Sequence, residues 1–178
     1  MLELQKQLPQ GELATELGGV HQKLDELLEI HVRPMAYRLF PSILRRGLIP
    51  ALQSLSDQVE EILCIELVLD ERLVQKERAD SGLIPEQTRL AVYRIAEEAL
   101  TNVVKHARAK KAIIELKQNS SNWLTLSVRD EGQGFDTTAT PGGLGLAIML
   151  DYATVVGGTC VTRSATGKGT EVMAVLPF

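Results

Sequence analysis

Asp130 closes the apolar run "WLTLSVRD" and is followed by glycines at alternate positions, Gly132 and Gly134. An ionised carboxylate accepts hydrogen bonds and donates none. At a strand end it suits the exocyclic amino group of adenine, whereas guanine presents a carbonyl at the equivalent edge. The two glycines would let a flat ring approach the backbone. Asp-x-Gly is equally ordinary turn chemistry, and this stretch alone leaves both readings open.

A second group lies on a long helix expected over 86–107. On a wheel of about 100° per residue, Arg94, Asn102 and Lys105 fall within about 40° of Glu98. Val92, Tyr93, Ala96, Leu100, Val103 and Ala107 fall on the other side. The apolar arc should pack on a sheet and the polar line should face away from it. A solvated face is the plain alternative. An asparagine inside a helix is mildly unfavourable, however, which invites a reason for Asn102. Its side-chain oxygen is a hard ligand suited to magnesium, which keeps most of its waters and takes other ligands from phosphate. Lys105 could neutralise those phosphates, and Glu98 could orient or deprotonate an attacking group.

The third group is "PGGLGLAIML" with "GKGT" further on. Gly142, Gly143 and Gly145 free the backbone just before a helix, whose first-turn N–H groups and dipole favour phosphate. A turn at a helix start explains the same glycines. Two well-known phosphate loops do not fit. A dinucleotide fingerprint begun at Gly143 meets Ile148 where Gly or Ala is needed, and a P-loop ending in Gly167-Lys168 meets Gly169 where Ser or Thr is needed.

The elements that must carry these groups alternate along the chain. "CIELVLD" reads as a strand. "KAIIELKQ" and "NWLTLSVRD" read as a hairpin across "NSSN", and "GGTCVTRS" and "GTEVMAVLPF" as another. A helix begins near Gly145. Paired strands with helices between them predict an α+β, two-layer sandwich with a largely antiparallel sheet. Upstream, Leu13, Leu17, Val20, Leu24 and Leu27 form a heptad-spaced seam that reaches His31. Gly18-Gly19 weaken it and Pro34 should end or kink it. The expected organisation is a helical segment and junction over 1–47, then a second domain over 48–178.

The composition permits a core: 44% of the residues are hydrophobic, 24% are charged, and the net charge is −4. Such a balance gives no reason to expect nucleic acid as a partner. No apolar run approaches the roughly 18 residues of a membrane span. Cys64 and Cys160 lack metal-ligand spacing and read as strand packing in a reducing, cytoplasmic setting.

Taken together, "EEALTNVVKHA", "DEGQGFD", "GGLGLAIML" and "GKGT" resemble, in order and spacing, the nucleotide-binding boxes of the Bergerat-fold ATPase superfamily. The resemblance covers about residues 60–178. It is greatest to the ATP-binding catalytic domain of bacterial sensor histidine kinases. It implies that Asn102 holds magnesium, that Lys105 and His106 lie near the phosphates, and that Asp130 reads adenine. It also implies that Thr170 assists Asp130 through its hydroxyl or a water, and that Gly143, Leu144, Gly145 and Leu146 form the turn from lid to helix. The short "FDTTATP" lid and the junction "RLFPSILRRGLIPAL" are similar to one kinase branch, with Phe40 where that branch commonly has arginine.

That branch carries its phosphoacceptor histidine upstream of the junction, followed by an acidic residue. His21 and His31 lack such a neighbour, and His106 belongs to the nucleotide boxes. The resemblance therefore implies a catalytic part with a partial dimerisation segment, ATP or ADP and magnesium as ligands, and a phosphoacceptor dimerisation domain, a response regulator and a homodimer as partners of the full-length protein. Two other classes share the site: a serine kinase of the anti-sigma-factor type, and a nucleotide-gated interaction module without phosphoryl transfer.

Overall fold

The computed structural model describes residues 41–119, 122–137 and 143–178. The leucine seam, the helical segment around it, and most of the "TTATPG" stretch lie outside the described residues. Pro41–Phe178 form a compact unit.

Alternation sets the faces of the sheet. In β2 (Lys111–Gln118), Ala112, Ile114 and Leu116 are buried; in β3 (Trp123–Asp130), Leu124, Leu126, Val128 and Asp130. β5 (Thr170–Pro177) buries Val172, Ala174 and Leu176 on the same face. Together with β1 (Cys64–Leu69) and β4 (Thr159–Ser164), these form a five-stranded sheet of order β1-β2-β3-β5-β4. Both expected hairpins are present and antiparallel, whereas β1 and β2 run parallel. Parallel neighbours require a long crossover, here two helices. Burial pushes the Cys160 thiol up to about 11, in keeping with inert packing. Cys64, expected to pack likewise, is instead exposed at the head of β1.

The helical layer comprises α1 (Leu48–Asp57), α3 (Glu86–Asn102) and α4 (Leu144–Val155). The apolar arc read from the wheel is buried throughout, from Val92 in α3 to Ala107 in the turn that follows it. The result is the expected α+β two-layer sandwich.

A shorter helix, α2 (Glu71–Ala79), has a largely polar sequence and starts where the Asp70 side chain accepts from the N–H groups of Arg72 and Leu73. Its buried Glu77 receives the N–H groups of Leu48 and Ile49 at 2.7 and 2.8 Å. Those donors have no partner within their own helix, so the carboxylate satisfies them and meets the positive end of the α1 dipole. Before α1, a 3₁₀ turn over Ser42–Arg46 buries Leu44, whose carbonyl accepts from Arg89 Nη1 at 2.8 Å.

Candidate active site

The helix-facing side of β3 and β5 is apolar until its last row. There, β2, β3, β5 and β4 place Ala112, Asp130, Thr170 and Ser164 side by side. The alternation that buries Leu126 and Val128 thus also buries the Asp130 carboxyl, whose residue is only 4% exposed. Loss of water raises its pKa above the usual carboxylate value, against the opposing pull of the Gly132 and Thr170 N–H groups. The Gly132 N–H donates to Asp130 Oδ1 at 2.7 Å. The turn reading and the acidic-site reading therefore hold at once: one side chain both makes the turn and faces a cleft.

The glycines serve the chain before they serve any ligand. A Cβ on Gly132 would collide with the Ala107 carbonyl, and one on Gly134, at φ +58°, with the Ala165 carbonyl. The bare backbone at Gly132 is thus occupied by another segment of the protein, not left open for a ring. Gly169, at φ +71°, packs on the Asp130 carbonyl in the same way.

Across the cleft stands α3. Asn102 Nδ2 lies 3.4 Å from Glu98 Oε1, which leaves the Asn102 side-chain oxygen for other partners. The helix then widens into a π turn over Val103–Ala107 and ends at Arg108 in a left-handed conformation, φ 55°. Lys105 and His106 stand exposed on that turn. Gln133 fixes it to the β3 loop: its backbone N–H donates to the Ala107 carbonyl and its side-chain amide to the His106 carbonyl, at 2.8 and 2.7 Å. Arg94, expected on the same line, pairs with Glu97 at 2.6 Å and does not line the cleft.

The third wall is the start of α4. Gly143 caps it without a side-chain bond. The first-turn N–H groups of Leu144 and Gly145 have no carbonyl of their own helix to bond. Gly145 packs so closely on Glu98 that a methyl group there would displace the carboxylate.

These walls enclose a cleft of about 630 Å³. Glu98, Asn102, Lys105, His106, Asp130, Gly134, Gly143, Leu144, Gly145, Leu146 and Thr170 all line it, and Gly132 does not. The structure adds Gln133, Phe135, Ile148 and the apolar floor of Val128 and Val172. Strand alternation could have revealed the floor; nothing local marks Gln133.

The profile of the family described as histidine kinase-, DNA gyrase B- and HSP90-like ATPase matches residues 87–178, from the start of α3 to the last residue. The chain belongs to this family. It is thus an ATP-binding ATPase domain, and the cleft described above lies within the matched region. Among its relatives, the nitrate/nitrite sensor protein NarX of Escherichia coli is 29% identical over 163 residues, covering 91% of this chain and 25% of NarX. A sensor-like histidine kinase of Chloroflexus aurantiacus is 29% identical over 170 residues, covering 88% of this chain and 28% of that protein. The chain therefore spans about a quarter of the length of these two relatives. The solved blue-light activated histidine kinase of Erythrobacter litoralis shares the fold with a TM-score of 0.63 at 22% identity, over 90% of this chain and 51% of that one. Histidine kinase AdeS of Acinetobacter baumannii does so with a TM-score of 0.56 at 17% identity, over 96% and 86%. Among the described residues, no helix is long and apolar enough to cross a membrane.

Proposed function

We propose that this domain is the catalytic part of a two-component sensor histidine kinase of the short-lid branch, which delivers the γ-phosphoryl group of ATP to a histidine on a dimerisation domain. The observation that carries the reading is the buried Asp130 carboxyl facing Asn102 across one cleft. Asp130 accepts from the adenine amino group, and Val128 and Val172 support the ring. The triphosphate extends toward Asn102, Lys105, His106 and the start of α4, where positive charge and free N–H groups meet it.

The donor set fits magnesium. A side-chain oxygen on Asn102 beside the Glu98 carboxylate offers few protein ligands, and magnesium bound to a nucleotide needs few. When bound, the ion would neutralise charge on the phosphates. Glu98 orients the Asn102 amide. In the transfer itself, the acceptor imidazole nitrogen forms a bond to the γ-phosphorus as the bond to the β,γ-bridging oxygen breaks, and ADP leaves with that electron pair. The chain's part in this step is positioning and charge stabilisation.

The partners in this reading are a dimerisation domain bearing the acceptor, a second copy of the full-length protein and a response regulator, all in the cytoplasm where ATP is made. His21 and His31 have no acidic neighbour, so the chain alone should bind nucleotide without labelling itself. The test is incubation with γ-labelled ATP, with and without a separate dimerisation domain carrying an intact His-Asp pair. Acid-labile, base-stable label on the added domain only is the expected result. Such label on this chain alone, lost in His31→Gln, would overturn the assignment of the acceptor. Label on a partner's serine would favour the serine-kinase class, and binding without transfer the gated module.

A further inference from the structure

Ser164 ends β4 in the same row as Thr170 and Asp130, yet it does not line the main cleft. It joins three segments. Its hydroxyl donates to the Gly169 carbonyl at 2.8 Å, its oxygen accepts from the Phe135 N–H at 2.9 Å, and Thr170 Oγ1 lies 3.0 Å away. Phe135 and Thr170 both line the cleft.

Proton counting gives this cluster a direction. A serine hydroxyl has one hydrogen and two lone pairs. The Gly169 carbonyl can only accept, so it takes the Ser164 hydrogen. The Phe135 N–H can only donate, so it takes one lone pair. What Ser164 has left for Thr170 is its other lone pair. The Thr170 hydroxyl must then point its hydrogen at Ser164 and turn lone pairs toward the cleft. Asp130, ionised, also only accepts. The Asp130 and Thr170 side chains therefore present acceptors alone to the cleft.

We infer that Ser164 is a positioning residue for base selectivity: by taking up the Thr170 hydrogen, it keeps the Thr170 hydroxyl an acceptor beside Asp130. The inference rests on the reading of the cleft as an adenine-nucleotide site. Adenine brings an amino donor to this edge, directly or through a water. Hypoxanthine and guanine bring a carbonyl, which an uncommitted threonine hydroxyl could satisfy by rotating its hydrogen outward. Ser164 blocks that rotation. Sites that leave a buried polar group unmatched discriminate strongly against the mismatched ligand.

The test is calorimetric titration of ATP and of inosine triphosphate against the wild-type chain, Ser164→Ala, Ser164→Thr and Thr170→Val. Ser164→Ala should lower the ratio of ATP to inosine triphosphate affinity by about threefold to tenfold, the equivalent of one neutral hydrogen bond. General loosening of the site would weaken both nucleotides and leave the ratio alone. Ser164→Thr, which keeps the hydroxyl, should restore the wild-type ratio. In a Thr170→Val background, Ser164→Ala should change the ratio no further. If Ser164→Ala does not fold, Ser164→Cys, a weak donor, should give an intermediate ratio. A wild-type ratio in the folded alanine or cysteine variant overturns the inference and leaves the adenine reading standing. A wild-type chain that binds both nucleotides equally, or neither, overturns the adenine reading and this inference with it.

Discussion

At one end of the cleft, Asp130 and Thr170 stand on adjacent strands with Ser164 behind them on the next, tied to backbone groups and, from Thr170 to Ser164, side chain to side chain. At the other, Lys105 and His106 are exposed on a π turn held by Gln133. The first end keeps a carboxylate out of water at an energetic cost, and in return its acceptors are fixed before any ligand arrives. The second keeps the Lys105 ammonium and the His106 imidazole solvated and adjustable. In the proposed reading, the fixed end chooses the base and the solvated end follows phosphates that must move during transfer. Substitutions at the fixed end should therefore act on every adenine ligand, and those at the solvated end on charge alone.

The largest effect should come from Gly134→Ala. Left-handed backbone costs an alanine about 1–2 kcal/mol, and overpacking against the Ala165 carbonyl adds about 1–3 kcal/mol. Denaturant unfolding should read a loss of about 2–5 kcal/mol, and an unchanged midpoint would mean that the fixed end yields easily.

Next is Asp130→Ala. It should lose a charge-assisted hydrogen bond of about 1.5–3 kcal/mol, or about 10- to 150-fold in affinity, for ATP and adenosine alike. A loss confined to ATP would assign Asp130 to the phosphate end.

Lys105→Ala should weaken ATP by about threefold to fivefold at low salt, less at high salt, and leave adenosine unaffected. Equal losses at both salt concentrations would show that Lys105 is less solvated than its exposure implies. Asn102→Ala should act similarly on the magnesium-dependent part of ATP binding only, read by paired titrations with and without the ion.

The smallest effect sharpens the comparison. The Asp130 pKa is raised above the ordinary 3.8, so its ionised form costs stability at neutral pH. That cost disappears as the pH falls through the raised value toward 3.8. Asp130→Asn should therefore raise the thermal midpoint of the nucleotide-free protein modestly while reducing nucleotide affinity. In the wild type, nucleotide affinity should fall over the same acid range in which this contribution to stability recovers. A midpoint lowered by Asp130→Asn would mean that the carboxylate is better solvated than its burial indicates.

Much of the sheet and of the cleft was legible in the sequence because both depend on local periodicity. Period-two alternation gave β2, β3 and β5, and period-3.6 spacing separated the buried arc of α3 from Glu98 and Asn102. What escaped depends on partners distant in the chain. α2 has so few apolar positions that periodicity is silent, and Glu77 acquires its role only where Leu48 and Ile49 arrive. Gly132 and Gly134 stand out in the sequence, but the backbone that crowds them, at Ala107 and Ala165, lies far along the chain. Ser164 carries no motif, and only strand register brings it to Thr170.

The π turn at Val103–Ala107 can also be regarded as a matter of chain length. A π turn holds one more residue than an α turn over nearly the same rise. It therefore behaves as a one-residue insertion absorbed into α3, with Asn102 before it and Lys105 and His106 within it. Deleting Val104 would let ordinary α winding resume with little change downstream, because five residues of π winding turn the chain about as far as four of α. Only Lys105 and His106, within the turn itself, would be re-aimed relative to Asn102. Among chains with this architecture, one residue could therefore be gained or lost at this turn without disturbing β2 or the base site.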